Sequence, residues 1–266
     1  MTNKYFAQLI VGMALFFSMI TVSADELIVD DSVRAKLEPV LGKDGATLNY
    51  FSGPADMIGI GVTFANGRQM VVYATADGNT IFSGVAVDIA TGQNISSLDA
   101  ANLPPPNYDK VVEMAASATA FVEGNPESEN QYYVFVDPRC PYCHKTYSAF
   151  LEAQAKGSDL AVHYIPIGIL GPESENVAKE MLGNAEGAAD LFRKISMKAP
   201  HVSDAAVVEE GLSAHGRNLA IFRTLQFDAV PVVISTVSGE QNVRRGAISA
   251  EAILAELTAV AKVASR

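Results

Sequence analysis

Residues 132–156 read YYVFVDPRCPYCHKTYSAFLEAQAK, and the order of residue types in this stretch decides the fold of the C-terminal half. YYVFV is an unbroken β-branched and aromatic run, the pattern of a strand covered on both faces near the centre of a sheet. After it, Tyr147, Phe150 and Leu151 recur at helical spacing. Cys140-Pro141-Tyr142-Cys143 therefore falls at a strand-to-helix junction, on the first turn of the helix. Proline suits that turn, because its fixed φ matches the helix and its missing amide hydrogen has no partner there anyway.

Residue type and position together point to thiol chemistry. A thiolate, not a thiol, attacks a disulfide, and the unpaired amides of a helix N-terminus favour the charged form. Cys140 gains most from that field and is the candidate nucleophile. Cys143 lies about one turn deeper, from where it can resolve a mixed disulfide by attacking Cys140. Tyr142 offers its side chain at the exposed rim, where a substrate would meet it.

Cys140 and Cys143 are the only cysteines in the 266 residues. A disulfide closing so small a loop stabilises little, so reactivity explains the pair better than cross-linking; a passive disulfide is the plain alternative. Cys140 to His144 also spells CxxCH, the attachment motif of c-type haem. Against haem stand the buried strand directly upstream and the proline-led strand downstream. Zinc wants four ligands, and His163, His201 and His215 show no ligand spacing. No metal and no cofactor is expected. His163, in an apolar run, reads as a packed core histidine rather than a proton shuttle.

Downstream, LAVHYIPIGI at 160–169 reads as a second buried strand. SENVAKEML and GAADLFRKI read as helices, and a polar stretch containing His201 leads to another helix near Ala214 to Thr224. Val230-Pro231-Val232-Val233-Ile234 is a strand opened by a proline, a residue that strands tolerate at their first position. ISAEAILAELTAV closes the chain as an amphipathic helix capped by Ser249. The order is βαβ, helices, ββ, α.

Upstream, Leu103-Pro104-Pro105-Pro106-Asn107 breaks any regular element and marks a boundary. Val111, Ala115, Ala118 and Val122 then fall on one helical face, giving a connecting helix that Gly124-Asn125-Pro126 terminates. Residues 25–102 alternate β-prone runs with turn signals. QMVVYA, Asp77-Gly78, TIFSGVAVDI and Thr91-Gly92 read as a hairpin of an antiparallel sheet, and SVRAKLEPVL as a short helix whose length Pro39 limits. Nothing here pairs titratable groups catalytically, so the region reads as a structural or assembly domain.

The extreme N-terminus carries a different signal. Lys4 is the only charge before Asp25, and residues 9–22 form an apolar run of 14, short of the roughly 20 that span a bilayer. With Val22-Ser23-Ala24 before the cut, residues 1–24 read as a secretory signal peptide and Asp25 as the mature start; an uncleaved anchor is the alternative. The charge balance of 19 Lys+Arg against 30 Asp+Glu gives −11, which argues against nucleic acid as a partner. The expected division is 1–24 signal peptide, 25–102 assembly domain, 103–127 linker with helix, and 128–266 catalytic domain.

FVDPRCPYCHK and the later AVPVVI resemble the active site of the DsbC/DsbG family of periplasmic thiol:disulfide interchange proteins. ADGNTIFSGVAVDIATGQNIS and FSGPADM are similar to the hairpin and preceding turn of that family's N-terminal dimerisation domain. CPYC, IGILGPESENVAKEML and the absence of a further cysteine pair bring the chain closer to the DsbG members than to the DsbC members. The resemblance implies an α+β chain with an antiparallel-sheet dimerisation domain, a linker helix, and a thioredoxin-like α/β domain with a helical insertion. It implies a V-shaped homodimer in the periplasm, disulfide isomerase or reductase activity, and in some members chaperone activity. The partners it implies are exported proteins with disulfides or oxidised cysteines, and a membrane-bound thiol reductase as electron donor. Carried onto this sequence, Cys140 is the nucleophile, Cys143 the resolving thiol, and Pro231 a cis-proline beside them. Val230 contacts substrate; the family commonly has Thr there, and DsbA-like oxidases have Val. Isomerase and oxidase both stay open on that point, and a holdase chaperone that needs no thiols is a third reading.

Overall fold

The computed structural model describes residues 27–264, so the expected signal peptide lies outside the described residues. The chain forms α+β structure around two sheets. The first is a four-stranded antiparallel meander of β1 (Thr47–Ser52), β2 (Ile58–Thr63), β3 (Gln69–Ala74) and β4 (Ile81–Ser83), in that spatial order.

Helix α1 (Asp31–Leu41) starts where the Asp30 carboxylate accepts the Ser32 amide at 2.8 Å. It buries Val33 and Leu37, one turn apart, against Tyr50, Ile60, Val62 and Val72 on one face of the sheet. Pro39 sits inside the last turn without cutting it short. The other face carries Phe51, Val71 and Tyr73. Tyr73 Oη donates to Asp99 Oδ2 at 2.7 Å, which ties this face to α2 (Ile95–Ala101). The expected hairpin across Asp77-Gly78 is present, but its second strand stops at Ser83, and β1 and β2 precede it.

The second sheet has five strands in the order β5 (Phe121–Gly124), β7 (Ala161–Pro166), β6 (Gln131–Val136), β8 (Val232–Val237), β9 (Glu240–Arg245). The YYVFV strand is central, as its unbroken apolar run requires. Only β6 and β7 are parallel, joined by the crossover helix α4 (Pro141–Ala155). Helices α4 and α8 (Ala250–Ala264) cover one face of the sheet; α3 (Asp109–Ala116) and α7 (Ala205–Thr224) cover the other. Helices α5 (Pro172–Gly183) and α6 (Ala188–Ser196) complete the insertion between β7 and β8.

Two expectations need correction. The helix after the proline run ends at Ala116, and Val122 lies on edge strand β5, paired with His163 of β7. The cause is Asn218 of α7. Its Oδ1 accepts the Thr119 amide at 2.9 Å and its Nδ2 donates to the Thr119 carbonyl at 2.8 Å, replacing the bonds a continuing helix would supply. The helix expected near Ala214 to Thr224 begins nine residues earlier, at Ala205, where the Asp204 side chain caps it. Gly211 disguises this first half, yet it belongs there because α5 passes against it. A Cβ on Gly211 would stand 1.8 Å from the Lys179 carbonyl oxygen.

The two sheets meet at one seam. Asn66, in the turn between β2 and β3, is buried, and its Nδ2 donates to the Gln226 carbonyl at 3.2 Å. Arg245 Nη2 donates to the Asn66 carbonyl at 3.5 Å, and the Tyr108 ring lies against Gly67, where a Cβ would stand 1.9 Å from the ring and where φ is +75°.

Candidate active site

Three segments converge on the sulfurs: the end of β6, the first turn of α4, and the peptide before β8. Cys140 is the N-cap of α4, with extended backbone angles, and Pro141 is the first helical residue. Both cysteines are free thiols and both are buried, Cys140 with 5% of its surface exposed and Cys143 with none. The Val230–Pro231 peptide is cis, and Cys140 Sγ donates to the Val230 carbonyl oxygen at 3.8 Å.

The two thiols differ sharply in acidity. Cys140 is brought down to about 6, first by a hydrogen bond from the Cys143 thiol and then, against the cost of burial, by the backbone amides of Cys143 and Tyr142. Those amides belong to the unpaired set at a helix N-terminus. Cys143 is pushed far upward, chiefly by burial and then by its bond to Cys140, although the Asp137 amide donates to its sulfur at 3.4 Å. One thiol is poised as a thiolate while its partner holds a proton.

Asp137 is the residue that sequence reasoning left unassigned. It is fully buried, and its carboxylate accepts from the Arg139 amide at 2.8 Å, Ser174 Oγ at 2.8 Å and the Leu170 amide at 2.9 Å. Its charge opposes both thiolates. An aspartate closing an apolar strand just before CxxC was a visible oddity in the sequence. Its partners lie 33 and 37 residues away, and those no local pattern reveals. Arg139 adds a surface ion pair to Glu173 at 2.9 Å, so the first turn of α5 is clasped twice to the segment leading into CPYC, by Asp137 and by Arg139.

Tyr142 is 59% exposed, with Lys145 Nζ 5.2 Å from its ring centroid. His144 Nε2 lies 2.6 Å from the Pro138 carbonyl, which binds the turn back to the strand. His163 is packed: its ring stacks on Tyr133 with centroids 4.8 Å apart, its Nε2 meets Gln131 Oε1 at 2.6 Å, and burial lowers its pKa. His201 pairs with Glu180 and His215 with the Ile167 carbonyl, both at 2.8 Å. The four histidines thus sit in four separate environments.

Comparison with known proteins places the fold. Residues 118–261 match the model of the thioredoxin-like domain family. Over 194 residues the chain is 26% identical to the thiol:disulfide interchange protein DsbG of Pseudomonas aeruginosa, covering 71% of this chain and 68% of that one. Among solved structures, the catalytic domain of Proteus mirabilis ScsC superposes with a TM-score of 0.46 at 16% identity, over 57% of this chain and 95% of that one. The thiol-disulfide exchange protein α-DsbA2 of Wolbachia pipientis gives 0.47 at 14% identity, over 57% and 93%.

Proposed function

This chain belongs to the thioredoxin-like domain family, and from that premise we propose that it is a periplasmic thiol:disulfide interchange protein of the DsbC/DsbG type, reducing or isomerising disulfides of exported proteins. It is a thiol:disulfide oxidoreductase. The observation that carries this is the split between Cys140, acidic at the helix start, and Cys143, protonated directly beneath it.

The Cys140 thiolate attacks one sulfur of a client disulfide along its axis. A bond forms between Cys140 and that sulfur while the client's S–S bond breaks, and the second client sulfur leaves as a thiolate that takes up a proton. Loss of the Cys140 charge removes the repulsion that helps keep Cys143 protonated. Cys143 then gives up its proton and attacks Cys140 Sγ, releasing the client thiol and leaving a Cys140–Cys143 disulfide. Two electrons pass from the pair to the client, and an external dithiol, in this reading a membrane-bound reductase, returns them. If the freed client thiol attacks the mixed disulfide first, the client is rearranged and no electrons are spent.

Supporting the assembly role of residues 25–102, the edge strand β4 and the segment after it expose Phe82, Val85, Val87 and Ile89, the last at 99%. An apolar sheet edge of this kind is closed by pairing with a second copy across a two-fold axis, which would set two Cys140 sites facing one cleft. Residues 103–127 then connect assembly to catalysis. Trapping the thiols of cells with an alkylating agent tests the reading: a mostly reduced Cys140–Cys143 pair is expected, together with refolding of scrambled ribonuclease by the purified protein. A pair found oxidised in the cell would mean a dithiol oxidase. That second reading is favoured by one observation, Val230 in place of a threonine beside the sulfurs. Activity retained after replacing both cysteines by alanine would instead mean a holdase.

A further inference from the structure

Beside the CPYC turn lies a groove of about 570 Å³ that the mechanism does not use. One wall comes from Arg139, Pro141 and His144; the facing wall comes from Ile195, Lys198 and His201, at the end of α6 and beyond it. Neither Val230 nor Pro231 lines it, so it lies apart from the cis-proline contact. Much of its lining is apolar: Ile195, which is buried, with Pro141, Pro200 and Val202.

The charges around it are unevenly satisfied. Arg139 is paired with Glu173 at 2.9 Å and His201 with Glu180 at 2.8 Å. Lys198 has no ion-pair partner among the described residues. It is exposed, and its backbone is left-handed, φ +58°, at the helix end where its amide bonds the Ile195 carbonyl and the Ala199 amide bonds the Lys194 carbonyl. Glycine occupies such a position without strain. A lysine here puts an exposed cation on the lining of a largely apolar groove that also includes Arg139 and Pro141, the neighbours of the nucleophile, in a chain of net charge −11.

We propose that this groove takes the client segment flanking the cysteine under attack and selects an apolar side chain accompanied by a carboxylate, which Lys198 pairs. The inference rests on the reading of the chain as an interchange protein and names a preference among its clients. The overall acidity of the protein repels such a segment at long range. Within a Debye length of about 8 Å at physiological salt the nearest cation dominates instead, so the preference is one of contact.

The test uses the full-length reduced protein and cystine-bridged peptides carrying a valine near the cysteine. Asp, Ala or Lys is placed at each of the three positions on either side. Rates of reduction should be roughly two- to fivefold higher for Asp than for Lys at one or more positions, the range of an exposed ion pair, and the difference should shrink with added salt. Lys198→Gly, which suits the left-handed backbone and keeps the fold, should abolish the preference; Lys198→Glu should reverse it; Lys110→Glu, on the exposed side of α3, should leave it intact. Rates independent of peptide charge, or a preference that survives both Lys198 substitutions, overturn the proposal while leaving the interchange reading standing. Failure to reduce even the alanine peptide overturns both.

Discussion

The amide of Asp137 donates to Cys143 Sγ at 3.4 Å while the carboxylate of the same residue opposes ionisation of both cysteines. One residue therefore holds the deeper sulfur in place and limits how acidic the outer one becomes. Replacing Asp137 by Asn removes the charge but keeps the shape. The Cys140 thiolate should then form at lower pH, read as a downward shift in the pH midpoint of its alkylation. Stability should fall by about 1–3 kcal/mol in urea titration, because the amide turns a donor toward Leu170 N–H or toward the Arg139 and Ser174 donors. An unchanged midpoint would remove Asp137 from the electrostatics of the site.

With Cys140 brought down to about 6 from a usual thiol value of 9.0, the folded reduced protein loses that proton three pH units before the unfolded chain does. Between pH 6 and 9 the unfolded state binds more protons, so stability rises with pH across that window and is lost as pH falls through 6. Cys143, shifted upward, keeps its proton in the folded state, and the unfolded chain begins to lose it only as pH nears 9.0, which trims the slope at the top of the window without reversing it. Urea midpoints of the reduced protein should climb from pH 6 to 8.5, and Cys140→Ala should flatten part of the climb. Iodoacetamide at pH 7 should label Cys140 first; Cys143 reacting first would reverse the assignment of roles.

Gly211 and Gly216 lie on the same helix and should respond oppositely. Gly211→Ala drives a Cβ into the Lys179 carbonyl, backbone that cannot swing aside, and should destabilise by more than about 2 kcal/mol. Gly216 has nothing within 4 Å of such a Cβ, so alanine there should stabilise by about 0.5–1 kcal/mol through helix propensity. Equal effects in thermal unfolding would mean that α5 and α7 do not pack this closely.

Val85→Asp combined with Ile89→Asp places charge on side chains that are 68% and 99% exposed in the single chain. Folding stability should change by less than about 0.5 kcal/mol each, as at other surface sites. Sedimentation should find the unaltered protein at twice the chain mass and the variant at once. The variant should still reduce small disulfides while losing isomerisation of scrambled protein. Unaltered protein at the mass of one chain would dismiss the assembly role of this edge.

How far the sequence could be read depended on how local the governing interaction is. The central strand, the Cys140 cap, Pro141 at the first helical position and the Ser249-capped last helix all answer to rules spanning four or five residues, and all are present. Strand β5 has four residues, pairs with β7 some forty positions on, and follows a break held by Asn218 some hundred positions away, so a helical spacing that ran through Val122 had nothing nearby to contradict it. Half of α7 was hidden because Gly211 serves a neighbouring helix at the expense of its own propensity. At the site, the sulfurs and proline were legible as a motif. Asp137 and Lys198 were not, since a buried carboxylate and a left-handed lysine acquire meaning only from what the fold sets beside them.

The seam at Asn66 bears on how the molecule moves as a machine. Its bonds reach Gln226, four residues ahead of Val230, and Arg245, which pairs with Val232 across the β8–β9 hairpin. Any tilt of the first sheet relative to the second must either break these bonds or load the stretch of backbone that holds the Val230 carbonyl over Cys140. The first sheet is thus anchored through the same short piece of chain that carries the Val230 carbonyl to Cys140, so strain applied to one is felt at the other.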